Sequence, residues 1–211
     1  MTLIEVFVVA VVIGFLFLMI LVSTQHQQRP RMRIQCVNNL KQVGLSFRIW
    51  AGDNGDSYPA EISRTKGGAM EFATGPNVFH QFQVMSNELS TPKVLFCPNE
   101  TDRNRFCATN FESFNNSNIS YFVGVDANET NAQMILSGDR NITNGTPLNN
   151  GLLNLTTNRP AGWTAEMHKN IGNIGLADGS VQWATANANL QALIQNSGVA
   201  TNRLQMPILG P

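Results

Sequence analysis

Several groups in this sequence carry types and spacings that could do chemistry. His168 is followed after nine residues by Asp178-Gly179, a histidine and a carboxylate that could form a hydrolytic pair or part of a metal site. No serine elbow, His-Glu-x-x-His motif or second histidine at ligand spacing accompanies them. The expected role is therefore structural, with Asp178 forming a turn and His168 bonding a backbone group beside it. Asp126, Glu129, Asp139 and Asp178 are oxygen ligands of the hard type that calcium takes, and Asp126, Asp139 and Asp178 are the calcium candidates. No EF-hand spacing supports them, and Asp139-Arg140 reads as an internal ion pair. Three cysteines, Cys36, Cys97 and Cys107, allow three pairings and fit an oxidising compartment with one bridge and one leftover thiol. Cys36–Cys97 would staple a helix to a strand, and Cys97–Cys107 would close a local loop. A fourth feature is Glu5, the one ionisable side chain within the apolar residues 1–23. A carboxylate in such a run is costly without a partner.

The elements that must position these groups follow from periodicity. Residues 1–23 are long enough to cross a bilayer as a helix. One helix is expected from Thr2 to Gly52, spanning roughly 75 Å. Its halves, 1–28 and 29–52, differ. The first is apolar all round; in the second, Cys36, Leu40, Val43, Phe47 and Trp50 recur at helical intervals and should face a sheet. Pro30 should kink the helix or end a turn, and Gly14 weakens it, so any unwound segment should begin near Gly14. Residues 53–211 form the remaining loop-rich domain. Residues 53–93 are irregular, with a short helix or turn between Phe79 and Leu89. Strands are expected at Val94–Cys97, Ile119–Val125, Met134–Asp139 and Gly172–Ala177, the last returning through the Asp178-Gly179 turn to Ser180–Ala184. Ala188–Gln195 is a short helix, and the proline-broken tail from Met206 should pack along the surface. The fold class is α+β: a long N-terminal helix on a small antiparallel sheet with long loops.

Met1-Thr2-Leu3-Ile4-Glu5 resembles the N-terminus of a processed type IV pilin or type II secretion pseudopilin. Cys36-Val37-Asn38-Asn39-Leu40-Lys41-Gln42 and His168 with Asp178-Gly179 are similar to the C-x-N-N-L-K-Q and H-x9-D-G signatures of a pilin-like family prominent in planctomycetes and verrucomicrobia. Phe96-Cys97-Pro98 and Ser120-Tyr121 resemble further elements of it, so the likeness covers nearly the whole chain. It implies a basic leader removed by a prepilin peptidase, an N-methylated Met1, and Glu5 of one subunit neutralising the α-ammonium of Met1 on its neighbour. It also implies the Cys36–Cys97 pairing, with Cys107 an addition, and points to calcium through the late-loop sites of major pseudopilins.

The resulting expectation is a structural filament subunit and not an enzyme. Its partners are copies of itself, an inner-membrane assembly platform, the peptidase, and membrane lipid before assembly. It would sit in the inner membrane first and in a periplasmic or extracellular filament afterwards. A minor tip pseudopilin and a non-polymerising, membrane-anchored binding domain are the alternatives. Charged residues make up 13% of the chain and the net charge is zero, so no nucleic-acid footprint is evident. Sequons such as those at Asn118 and Asn141 arise readily by chance in an Asn-rich chain.

Overall fold

The computed structural model describes residues 2–26, 28–185 and 187–209, and the side chains within these ranges except those of residues 20–30. Two helices open the chain: α1, Leu3–His26, and α2, Gln28–Asp53. The single helix expected over Thr2–Gly52 is thus described as two elements, with Gln27 outside the described residues. α1 runs through Gly14 without unwinding. Pro30 falls in the first turn of α2, where a missing N–H forfeits no helical hydrogen bond. Among the described residues no helix is long and apolar enough to cross a membrane. The span read over residues 1–23 includes Met1 and side chains that lie outside the description.

After α2 come two short helices, α3 (Phe79–Gln83) and α4 (Ser86–Leu89), and a 3-10 turn at Pro92–Leu95. The strand expected at Val94–Cys97 does not form. Pro92 begins the 3-10 turn, and Thr91 caps it by accepting the Lys93 N–H. Cys97 is then drawn to α2 by its bond to Cys36, with a Cα–Cα distance of 5.2 Å.

The sheet contains β1 (Tyr121–Gly124), β2 (Ile135–Asp139), β4 (Leu152–Thr156), β6 (Gly172–Leu176), β7 (Val181–Ala184) and β8 (Thr201–Gln205). Its order is β4-β8-β1-β2-β6-β7, with every pairing antiparallel. A two-stranded ribbon joins β3 (Ile142–Thr143) to β5 (Gly162–Trp163). Helix α5, Asn187–Asn196, covers the expected Ala188–Gln195 segment.

Side chains alternate between two buried faces, as strand geometry requires. Val123 and Leu136 join Val43, Phe47, Trp50, Phe82 and Met85 beneath α2. Phe122, Ile135 and Ile174 turn the other way and meet Leu190 and Ile194 of α5, together with Leu153, Leu155 and Leu204. The predicted stripe is the buried one: Cys36, Leu40, Val43, Phe47 and Trp50 are all buried. Gly44 lets α2 approach the β6–β7 turn closely, since a Cβ there would stand 3.3 Å from the Gly179 Cα. Gly179 itself has φ 83°, the left-handed conformation this two-residue turn needs. The tail from Met206 is held more firmly than the surface packing expected of it. Met206 is buried, Arg105 donates to the Pro207 carbonyl, and Asn116 Nδ2 donates to Ile208 O at 2.8 Å.

The Cys36–Cys97 bridge closes a separation of 61 residues. Reducing it should cost about 4 kcal/mol in the chain-entropy treatment. Denaturant melts with and without reductant should differ by that order, whereas Cys107→Ser, at an exposed free thiol, should leave the oxidised melt unchanged.

Candidate functional site

The groups singled out by type converge, in part, on a buried centre beneath the N-terminal half of α2. Cys36 comes from α2 and Cys97 from the segment after the Pro92–Leu95 turn. Asp139 ends β2, Asn173 sits in β6, and His168 lies on the loop between β5 and β6. That loop is bent hard around the histidine. Met167, Lys169 and Asn170 have φ of 57°, 56° and 63°, a conformation that non-glycine residues rarely adopt. Asn141 secures the loop by donating to the carbonyls of Thr164, Glu166 and Ile171 at 3.1–3.2 Å.

Inside the centre, His168 Nε2 is 3.4 Å from Cys97 Sγ and 3.4 Å from Asp139 Oδ2. Asn99 Nδ2 donates to the Met167 carbonyl at 2.7 Å and lies 3.1 Å from His168 Nδ1. This network assigns the ring proton to Nε2, with Nδ1 accepting from Asn99. Asp139 Oδ2 also accepts the backbone N–H and the side-chain amide of Asn173, both at 2.8 Å. Arg33 reaches toward the centre from α2 with its guanidinium 3.5 Å over the Trp183 ring.

Burial dominates the electrostatics. It pushes the Asp139 carboxyl up to about 7, against the Asn173 hydrogen bonds and the charge of Arg33. Burial, aided by Arg33, lowers His168 to about 4. Burial and the nearby Asp139 raise the fully buried Tyr121 hydroxyl well above its ordinary value. Beside this centre, Glu100 receives Arg140 through Nη2 at 2.5 Å and Nε at 2.9 Å, and Arg140 Nη1 reaches Glu166 at 2.6 Å. Burial alone would raise Glu100, but the Arg140 hydrogen bonds and charge outweigh it and hold the carboxyl low.

The other expected groups fall elsewhere. His168 is partnered by Cys97, Asn99 and Asp139, and not by a backbone group beside Asp178. Asp178 does form the turn: its Oδ1 accepts the Ser180 N–H at 2.8 Å, and its carbonyl accepts from Arg48. Arg140 pairs with Glu100 and Glu166 instead of Asp139. The calcium candidates do not share a cage. Asp126 is bound by Arg203, Asp139 faces Asn173 and His168, and Asp178 stays in its turn, while Glu129 pairs with Arg48 at 3.6 Å. Asn118 and Asn141 are buried and committed to backbone carbonyls. Cys107 remains an exposed thiol. Glu5 Oε2 accepts the Thr2 N–H at 2.7 Å, while Met1 lies outside the described residues.

Asn99, Glu100 and Asn173 escaped sequence reasoning, and Arg140 was singled out but with the wrong partner. Only Asn99 carries a sequence signal, its adjacency to Cys97-Pro98. Clefts of about 230 Å³, lined by Arg64, Phe72 and His80 among others, and about 510 Å³, lined by Glu61, Lys66 and Met70 among others, open away from this centre. Compared with protein-family models, curated proteins and solved structures, the chain matches none of them.

Asp139 and His168 hold one proton between them across mildly acidic pH, so their linkages oppose each other. His168 binds its proton less tightly when folded, and its contribution to stability falls as pH drops from 6.5 toward about 4. Asp139 binds its proton more tightly when folded; its contribution is full below 3.8 and is lost as pH rises through about 7. Relative to the native chain, Asp139→Asn should gain stability with rising pH over this window and His168→Gln should lose it. Each slope should span on the order of 3 kcal/mol, read from denaturant midpoints at stepped pH.

Proposed function

We propose that this chain is a structural subunit of a helical filament of the type IV pilus or type II secretion pseudopilus kind, and not an enzyme. The observation that carries this reading is the surface of α1. Its large apolar side chains from Leu3 to Met19 are all exposed, from 51% at Val12 to 89% at Leu3. Apolar surface on this scale calls for a partner, either lipid or other helices. Ile34, Leu45 and Ile49 extend apolar exposure along the outer side of α2, at spacings of eleven and four that keep them near one helical face.

In this reading a prepilin peptidase exposes Met1, the inner membrane holds the N-terminal helix, and an assembly platform transfers subunits into the filament. Lipid is already apolar, so the transfer depends on helix packing and on polar pairing more than on burial. Glu5 is suited to that pairing. Its Oε2 caps the first turn of its own helix, where an acidic group is favourable, and the carboxylate can also meet the α-ammonium of a neighbour's Met1.

Glu5→Val should leave membrane insertion intact and abolish filaments, because removing one partner of a buried charge pair costs about 3–5 kcal/mol at each contact. Electron microscopy of filaments sheared from native and variant cells reads this directly. Normal filament yield from the variant would overturn the proposal. A detergent-soluble monomer in the native cells, with Met1 unmethylated, would favour the anchored binding domain; a fibre built of another chain with this one scarce would favour a minor pseudopilin.

A further inference from the structure

We propose that, when the Cys36–Cys97 bridge is reduced, the same centre holds a zinc-class divalent cation through Cys36, Cys97 and His168. Disulfide and metal are then alternative occupants of one site, whatever the assembly state of the chain. The two Sγ atoms and a ring nitrogen of His168 lie within 4.8 Å of one another, and all three residues are buried. Two thiolates and an imidazole are the donors that zinc accepts and that calcium does not.

The distances fit. Tetrahedral zinc, with Zn–S about 2.3 Å and Zn–N about 2.0–2.1 Å, sets sulfur and nitrogen ligands roughly 3.5 Å apart. Cys97 Sγ and His168 Nε2 are already 3.4 Å apart. The sulfurs must separate from a bonded pair to about 3.8 Å, which side-chain rotation at two cysteines can supply. Asp139 lies outside that cluster of three but beside His168, and supplies the fourth donor once the sulfurs and the carboxylate draw together around the ion. Its Oδ2 is 3.4 Å from Nε2, close to the roughly 3.3 Å that oxygen and nitrogen ligands of one zinc ion keep. Its Oδ1 is buried and has no hydrogen-bond partner, an acceptor still seeking a cation. Asn173 orients the carboxylate, and the bent loop at Met167, Lys169 and Asn170 fixes the imidazole in place.

The chemistry balances. A phosphine delivers two electrons and water two protons to the bridge, giving two thiols and leaving the phosphine as its oxide. The metal then displaces to solvent the two thiol protons, together with the Asp139 proton where the carboxyl holds one, and takes the lone pair of Nε2. The ring proton passes to Nδ1, and Asn99 gives up its bond to the Met167 carbonyl and turns its amide so that Oδ1 accepts the new Nδ1–H.

The test uses the full chain carrying Cys107→Ser, so that only two thiols remain. It is reduced with a phosphine under inert gas and titrated with Co²⁺ alone, then with Zn²⁺. One Co²⁺ per chain should bind with a thiolate-to-cobalt charge-transfer band and tetrahedral ligand-field bands, and Zn²⁺ should displace it. The oxidised protein should show neither band. His168→Gln should weaken binding by roughly tenfold or more, while Asp139→Asn should alter the ligand-field bands and leave the charge-transfer band in place. Should the reduced chain lose its fold, Zn²⁺ should restore the near-ultraviolet circular dichroism of the parent and fail to restore that of His168→Gln. Absence of a stoichiometric cobalt spectrum from the reduced parent overturns the proposal. So does equal affinity, or equal refolding by zinc, in the parent and His168→Gln.

Discussion

Helix α2 lies on the sheet along one continuous seam, and most of the fold is arranged to keep that seam closed. Leu40, Val43, Phe47 and Trp50 insert between the strands and the short helices that follow. Each such side chain contributes on the order of 1.5–3 kcal/mol by leaving water. Approach this close needs Gly44 opposite Gly179, because a larger residue would lift the helix off the β6–β7 turn. Polar bonds then pin the margins. Tyr58 donates its hydroxyl to the Ala177 carbonyl at 2.9 Å, and Arg48 donates to the carbonyl of Asp178 at 3.2 Å. At the other end the Cys36–Cys97 bond ties the helix to the segment that precedes β1.

The abundance of asparagine has a structural use in this arrangement. Much of the chain is loop, and buried loops leave backbone donors and acceptors that need partners. Asn116 serves Pro76 and Ile208 carbonyls, Asn118 serves Phe106, and Asn141 serves three carbonyls at once. Arg105 does the same with the carbonyls of Asn116, Ile119 and Pro207. These side chains replace ladder hydrogen bonds where no regular structure exists. The chain is therefore rigidly held in regions that read as irregular.

The legible parts of the sequence were those where local pattern and tertiary demand agree. The helical spacing from Cys36 to Trp50, the β-rich run at Tyr121–Val123 and the Asp178-Gly179 turn all belong to this group. Val94–Cys97 deceived because its apolar character serves burial, while Pro92 dictates a 3-10 turn. β4 was not among the expected strands although it carried a signal, since Leu153 and Leu155 are buried on either side of exposed Asn154. β8 carried almost none. Asn202 and Gln205 are buried there because Ser197 and the carbonyls of Phe72 and Gly75 receive their amides. The centre at His168 was half legible. The cysteines and histidine could be singled out by type, but Asp139 and Asn173 join them only through the β2–β6 pairing.

The position of β8 bears on how the molecule is completed. It lies between β4 and β1, so residues 201–205 are the wedge that joins the two sides of the sheet. β1, β2, β6 and β7 can zip together among themselves once residue 184 is available, whereas β4 has no strand beside it until β8 arrives. The first-formed half also carries α2 and the disulfide. Folding thus divides into an early half that can be locked covalently and a late closure that depends on contacts distant in sequence. During the interval, the unpaired edge of β1 and the apolar face of β4 are both open to the wrong strand. A chain cut short of residue 201, or waiting for those residues, would hold its early half folded and covalently tied while both of those surfaces stayed exposed.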